Sequence, residues 1–475
     1  MVAQDTEIKD ALITFRTSQG AEIRASLLSL TRYAVSFEVY SPDTVLKSSE
    51  VLEEFQIFAG DRPLYAGRAV VRDTVNTGTV LVCSAVLDDF CFDPGFFDAL
   101  GKDGQLRGRF DEFVYQWQRV CKVLPEFKVI VADIETLLID LRRWMEQIEL
   151  GLRAAPQLDR IDRERETIDE LAPGVIPVLD ALFDKFEQMA ARLPEDVRPL
   201  HRSYIQRHLH PIVLCAPFAY RTYRKPLGYA GDYEMVNMML RDPREGSSLF
   251  AKVFNVWLLQ QPSASAHRNR IEFLKRRLIE ETATATRAGR TARILDLGCG
   301  PAREIQDFLA ESELSNHAEF TLMDFNEETL QHAAQALRQK QQQYRRNFSV
   351  QLVKRSVQQL LKDMVRADGI SRGNKFDFIY CAGLFDYLPD RTCKQLMTLF
   401  YQSLAPKGLV LTTNVSPFSP NRGSLELILD WHLIYRDAAR VVELRPHGLS
   451  RDSACVSSDD TGVNVFLEVR ADNDR

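Results

Sequence analysis

The C-terminal part of this sequence predicts an α/β fold built on a mostly parallel, doubly wound sheet. Three observations carry that expectation. The run Arg293-Ile-Leu-Asp-Leu297 enters the glycine-punctuated turn Gly298-Cys299-Gly300, a second apolar run, Phe320-Thr-Leu-Met323, closes on Asp324, and further strand-like runs then alternate with helical stretches. Alternating strands and helices argue for parallel pairing with helices on the sheet faces. In such sheets a ligand lies beyond the carboxyl ends of the strands, and Asp296, Gly298, Gly300 and Asp324 all fall at such ends. A small β-barrel and a helical region are expected ahead of this sheet, giving segments 1–105, 106–285 and 286–475.

The elements follow in order. Asn326 is a suitable N-cap for a helix over Glu327 to Lys340. Phe348 to Lys354 alternates as a strand and leads into Arg355-Ser356-Val357. Lys375 to Tyr380 reads as the next strand, with Cys381, Asp386 and Tyr387 in the loop after it, and Asp377 at its start is read as structural. Gly408 to Asn414 forms another strand, entered through the turn Pro406-Lys-Gly, and Arg440 to Leu444 and Val463 to Val469 are expected to close the sheet.

The first turn suggests what binds. Glycines let backbone turn sharply and approach a ligand closely. A dinucleotide site adds a third glycine so that a pyrophosphate can rest on the helix N-terminus, whereas here Arg303 and Glu304 follow. Asp296 would repel a pyrophosphate but accept hydrogen bonds from an ammonium, and Asp324 is placed for both hydroxyls of a ribose. The ligand combining an ammonium with an unphosphorylated adenosine is S-adenosylmethionine (SAM). The segment resembles motif I of the class I SAM-dependent methyltransferases, an acidic residue followed by Gly-x-Gly. That resemblance implies a Rossmann-like seven-stranded core, SAM as cofactor, and cofactor contacts from Asp296, Gly298, Cys299, Gly300, Asp324, Phe325, Ser356, Val357 and Cys381.

The 475 residues exceed one ordinary core, so two or three domains are expected. With 45% hydrophobic and 27% charged residues the composition is that of a soluble globular protein. A formal net charge of -6 provides no general attraction to nucleic acid or anionic membranes; the basic stretch Arg268 to Arg277 could be a local exception, although a charged helix face usually just meets water. The 8 cysteines are scattered without a Cys-x-x-Cys pair, so no metal is expected and a reduced, cytoplasmic chain is. The first residues lack a basic-then-apolar signal, and no stretch reaches the roughly 20 apolar residues of a membrane span. Oligomeric state is left open.

Residues 11 to 92 are short alternating runs separated by Gly, Asp and Pro, which suggests a small β-barrel. In size and strand rhythm it resembles a PilZ domain, a module that in many bacterial proteins binds cyclic di-GMP. The turn Ser29-Leu-Thr-Arg-Tyr-Ala34 lacks that family's acidic residue and glycine, and no arginine pair precedes it, so cyclic di-GMP binding is not expected. In the helical middle, Leu137, Leu138, Leu141, Trp144, Met145, Ile148 and Leu152 form an apolar stripe. Arg160 to Glu170 reads as a solvated helix or hinge, and a further helix is expected over Val175 to Arg192.

Tyr220-Arg-Thr-Tyr-Arg-Lys-Pro-Leu-Gly-Tyr-Ala-Gly-Asp-Tyr-Glu-Met235 concentrates tyrosines and cations around two glycines, the composition of a loop that closes over a ligand. Together with Trp431-His-Leu-Ile-Tyr-Arg436 it is similar to bacterial synthases of 3-hydroxy fatty acid methyl esters, which make a quorum-sensing signal. The resemblance implies carboxyl O-methylation, with Arg224 or Lys225 holding the acceptor carboxylate, Tyr229 in the catalytic loop, and Tyr223, Tyr387, Trp431 and Tyr435 shaping the acceptor pocket. An acceptor hydroxyl or amine would instead need a base, for which His432 or Asp386 could serve. Two other readings stand beside this one: methylation of a protein or another small molecule, and a signalling module that binds SAM or a nucleotide with little catalysis.

Overall fold

In a computed structural model of the chain, the described residues are 11–31, 33–40, 46–60, 62–76, 80–88, 107–108, 110–111, 114, 123–153, 160–365, 375–446, 448–450 and 453–472. The N-terminal residues 1–9, Cys91, Cys121 and the expected boundary at 105/106 lie outside them. The chain divides into two compact units, the first comprising residues 1–230, 242–259 and 420–432, the second residues 231–241, 260–419 and 433–475.

The first unit opens with a closed antiparallel barrel, in keeping with the expected small β-barrel. Its strands are β1 Ala11–Arg16, β2 Glu22–Leu30, β3 Ala34–Val39, β4 Val51–Ala59, β5 Arg62–Asn76 and β6 Leu81–Leu87, in the order β1-β2-β3-β6-β5-β4. Alternation aims every second side chain inward; in β3 these are Val35, Phe37 and Val39. Phe37 meets Phe15 and Phe55 at ring-centroid distances of 5.4 and 5.8 Å, which fills the interior with aromatic rings.

Two long helices follow, Pro125–Arg153 and Arg160–Ala190. The first opens on proline, whose fixed φ suits a helix start. Its buried face is Phe127, Ile130, Val131, Ile134, Leu138 and Met145, while Trp144 is 50% exposed. The buried stripe thus begins ten residues earlier than the leucine pattern suggests, and only Leu138 and Met145 of the expected set are fully covered. The second helix runs through Pro173 and Pro177, so Arg160 to Glu170 is helix rather than hinge and is continuous with the helix expected from Val175. Each proline removes one helical hydrogen bond, yet Ile168, Ala172, Leu179, Phe183, Phe186 and Ala190 recur on one buried face, and that burial carries the helix across them.

Residues 420–432 complete the unit through a buried ion pair. Arg202, on the helix Arg198–Val213, donates to both carboxylate oxygens of Asp430 at 2.5 Å, and Gln206 adds a third donor at 2.8 Å. Burial works against the charge, but the Arg202 guanidinium holds the Asp430 carboxyl well below the usual range. Asp430 has φ 52, a left-handed conformation that Asn also tolerates.

The second unit contains a seven-stranded sheet. Its strands are β7 Ala292–Leu297, β8 Ala318–Asp324, β9 Ser349–Lys354, β10 Phe376–Cys381, β11 Leu404–Val415, β12 Ala454–Ser458 and β13 Asn464–Arg470, in the order β12-β13-β11-β10-β7-β8-β9. β7 to β11 are parallel, and β12 and β13 pair antiparallel. Central strands covered on both faces read as continuous apolar runs, and all six residues of β10 are buried. The sheet is the mixed, doubly wound one expected, with one correction at its edge. Residues Ala438–Val442 are a short helix capped by Asp437, whose carboxylate accepts from Arg440 N at 2.8 Å, so the strand expected over Arg440 to Leu444 is replaced by Ala454–Ser458.

Replacing Asp430 with Asn keeps its backbone preference while leaving the buried Arg202 with only the more distant carboxylate of Asp88, 3.8 Å away, as counter-charge. D430N is expected to lower unfolding free energy by about 3–5 kcal/mol in urea titrations. The paired variant R202M/D430N, which removes both charges and keeps at 430 a residue that tolerates the left-handed backbone, is expected to recover part of that loss.

Candidate functional site

Sheet order places the site. β7 leads outward to β8 and β9 on one side, while β10 and β11 run to the other, so β7 and β10 are neighbours at the reversal. In doubly wound sheets the ligand crevice opens there, beyond the carboxyl ends. Asp296 on β7 stands in register with Tyr380 on β10.

The turn after β7 is held by its neighbour, Gly298 N donating to Met323 O at 2.8 Å. Gly298 and Gly300 have φ 75 and 51, in the region that favours glycine. A Cβ on Gly298 would make only ordinary contact with Leu384 at 3.6 Å, so the backbone conformation rather than crowding asks for glycine there. The helix Arg303–Glu311 then begins, and Arg303 pairs with Asp307 on it.

Two acids meet inside this turn. Asp296 and Glu304 are 2% and 7% exposed, and Tyr380 Oη donates to Glu304 Oε1 at 2.7 Å. Burial, reinforced for Asp296 by the Glu304 charge, pushes both carboxyls up. Asp296 Oδ2 is buried with no hydrogen-bond partner among the described residues. A buried acceptor without a donor is costly unless a ligand supplies one.

Asp324, at the end of β8, is buried, and one of its oxygens accepts from Asn326 N at 2.9 Å. Asn326 caps the helix Glu327–Tyr344 as expected, accepting from Thr329 N at 2.9 Å. Phe325 is half-buried beside it. Ser356 and Gln359 form a reciprocal capping pair, each side chain accepting from the other's backbone N–H, at the start of the helix Val357–Val365. Cys299 and Cys381 are buried thiols.

The loop after β10 is strapped from below. Arg436, fully buried, donates to the carbonyls of Phe385 and Leu388 at 2.7 and 2.6 Å, to Asn414 Oδ1 at 2.6 Å and to Asp390 at 2.8 Å. Asp386 Oδ1 accepts from Asn414 Nδ2 and Val415 N at 2.9 and 2.7 Å, and burial pushes its carboxyl up to about 6. Tyr387 is half-buried and Tyr435 buried within the same unit. Asp377 is structural, as expected, accepting from Arg290 and from Arg293 N.

Arg224, Lys225, Tyr223, Tyr229 and Trp431 belong to the first unit. Residues Tyr220 to Arg224 are helical, within Pro217–Arg224, and Tyr233 opens the helix Tyr233–Leu240 capped by Asp232, so only the residues between them form a loop. Lys225 is corrected. The residue is 3% exposed, its ammonium donates to the carbonyls of Leu429 and Tyr223 at 3.1 and 3.4 Å, and burial pushes it down to about 7. It anchors its own loop, which Val51 N also ties by donating to Gly228 O at 2.8 Å. Arg224 is exposed, Tyr223 and Tyr229 are half-buried, and Trp431 is 8% exposed. His432 is buried and pushed down to about 4 by that burial, so its imidazole is neutral near pH 7.

Fold and site together define the class I methyltransferase fold. Residues 289–443 match the family model of a methyltransferase domain. The chain is accordingly a class I SAM-dependent methyltransferase, with residues 289–443 as its matched methyltransferase domain and SAM as its cofactor. No curated protein matches this chain in sequence. Three solved structures are similar to parts of it. A possible exported protein from Bordetella parapertussis is 14% identical over 63% of this chain and 97% of its own, with a TM-score of 0.41. Magnesium protoporphyrin IX methyltransferase from Synechocystis PCC 6803 with bound S-adenosylhomocysteine (SAH) is 13% identical over 45% and 86%, with a TM-score of 0.32. An N-methyltransferase from Bradyrhizobium japonicum WM9, in complex with SAH, is 13% identical over 53% and 98%, with a TM-score of 0.30. No helix among the described residues is long and apolar enough to cross a membrane.

The residues present fit SAM. Asp296 offers the orphaned acceptor that an ammonium would satisfy, Gly298 and Gly300 leave backbone open beside it, and Asp324 stands at the neighbouring strand end. Glu304, Tyr380, Asn414 and Arg436 were not among the expected site residues. Glu304 and Arg436 lie next to quoted motifs, but their partners are 76 and 22 residues away, a spacing no local pattern reveals.

G298A should weaken SAM binding tenfold or more in calorimetric titration, because alanine at φ 75 costs roughly 1–3 kcal/mol or forces the turn to move. D296N, close in size to Asp296, should weaken SAM about 10- to 100-fold through loss of a charged hydrogen bond. Wild-type affinity in either variant would remove Asp296 or the turn from the site.

Proposed function

We propose that this methyltransferase transfers the SAM methyl group to the carboxylate of a 3-hydroxy fatty acid, giving a methyl ester of the quorum-signal type. The proposal keeps the three-module organisation 1–105, 106–285 and 286–475, with the catalytic chemistry in the last. Asp296, Gly298, Gly300 and Asp324 would hold SAM, and Tyr387 and Tyr435 would contribute to the acceptor side.

The observation that carries the reading is the state of the two groups that could act as a base. His432 is buried at about 4, and the Asp386 oxygen Oδ1 is already bound by two donors. Neither is arranged as an open general base. A carboxylate acceptor needs none, because it is ionised near neutral pH. SAM, held by Asp296, Gly298, Gly300 and Asp324, would supply an electrophilic methyl group, and an acceptor carboxylate aligned with it would take that methyl as the C–S bonding pair passes to sulfur, giving the ester and SAH. Alignment of the two reactants then supplies most of the acceleration. The similarity of the Lys225 to Tyr233 stretch to methyl ester synthases supports the same acceptor.

Incubating the protein with SAM and 3-hydroxypalmitate should yield the acid's methyl ester and an equal amount of SAH by mass spectrometry. SAM binding with no ester from 3-hydroxy acids of any chain length would retire this acceptor.

A further inference from the structure

The helix Pro262–Arg287 precedes β7 and carries Arg268 to Arg277, the basic stretch expected to face solvent. Arg270 departs from that expectation. It is 8% exposed, and its guanidinium lies against the turn that follows β10: an ideal Cβ on Gly383 would stand 3.1 Å from Nη1 and 3.3 Å from Nη2. Gly383 has φ 93, so the loop leaves β10 in a glycine conformation with the guanidinium on its open side. A side chain at 383 would therefore crowd the guanidinium as well as strain the backbone.

A buried guanidinium is normally paired with a carboxylate. Arg270 makes no ion pair among the described residues. Its hydrogen bonds there are to His267, with Nη2 2.9 and 3.0 Å from the two ring nitrogens, and that ring is neutral because burial and the neighbouring arginines push it well down. The acids nearest in charge, Asp386 and Glu304, act on Arg270 only at longer range, and each is held elsewhere, Asp386 by Asn414 and Val415 and Glu304 by Tyr380. The result is a planar cation, buried at the strand end where a ligand is expected, with its counter-charge missing. Guanidinium geometry matches a carboxylate through two parallel N–H donors.

We propose that Arg270 binds the carboxylate of a ligand in the methyltransferase site. Two ligands could bring that group: SAM, through its methionine half, or the acceptor acid. The acceptor arm rests on the carboxyl-methylation reading above, and the cofactor arm does not.

The test compares wild type, R270M and R270K by calorimetry with SAM, SAH, 5′-methylthioadenosine and 3-hydroxypalmitate. 5′-Methylthioadenosine has the same adenosine without the amino acid, so its unchanged binding shows that the fold and the nucleoside half survive. If the cofactor's carboxylate is the partner, R270M should weaken SAM and SAH about 10- to 100-fold and leave 5′-methylthioadenosine alone. If the acceptor's is, SAM should bind normally and R270M should lose 3-hydroxypalmitate by a similar factor. R270K, with the charge but not the fork, should fall between. Equal losses for SAM and 5′-methylthioadenosine would overturn the proposal and make Arg270 a packing residue. So would unchanged SAM with no loss of 3-hydroxypalmitate, including a wild type that binds none. Failure of ester formation alone, with the cofactor losses present, would sink the acceptor and keep Arg270.

Discussion

Two carboxyl groups buried together where the sheet reverses constrain everything around them. Asp296 ends β7, Glu304 lies on the helix that follows, and the Tyr380 hydroxyl reaches Glu304 from β10. Desolvation disfavours the charged form of each, and each charge disfavours the other. Such a pair is relieved by a shared proton or by a cation. The orphaned Asp296 Oδ2 faces the same choice in hydrogen bonds, and an ammonium answers both demands at once. That is why a ligand with a cationic amino acid half suits this turn and a pyrophosphate does not.

The opposite charge is kept apart from the acids. Arg270 sits against Gly383 and stays out of the carboxylate pair because Tyr380 and the Asn414–Val415 segment already engage Glu304 and Asp386. Arg436 in turn holds the loop that positions Asp386, through three carbonyl or amide oxygens and Asp390. Had Arg270 met either acid, both charges would be spent inside the protein. Fixed and separated in a low-dielectric setting, they complement a zwitterion, with an acidic end at β7 and a cationic end beyond β10.

Much of this was legible in the residues. Gly298-Cys-Gly300, Asp324, the Asn326 cap and the buried runs of β7, β8 and β10 are local patterns, and the sheet follows from them. Arg440 to Leu444 misled because paired valines favour strands, while the Asp437 cap that makes the segment helical is a stronger local signal. Tyr220 to Arg224 was hidden by its polarity, although Pro217 at the helix start announces it. Arg270 was invisible for another reason. Its neighbours Arg268 to Arg277 form a charge run that ordinarily meets water, and only the packed helix shows which member turns inward. The pair Arg202–Asp430 spans 228 positions, so neither residue carries any local sign of the other.

Burial at the strand ends also decides what the methyl group cannot reach chemically. Cys299 lies inside the glycine turn and Cys381 ends β10, so thiols border the strand ends where a sulfonium is expected. A thiolate would compete for the methyl group, since the ionised form is the nucleophile. Desolvation, then the acids Asp324 and Asp296 for Cys299 and Asp296 for Cys381, push both thiols well up. They stay protonated at neutral pH and serve as small apolar fillers. The same acidic, dry surroundings that favour a cationic cofactor therefore silence the sulfur nucleophiles beside it.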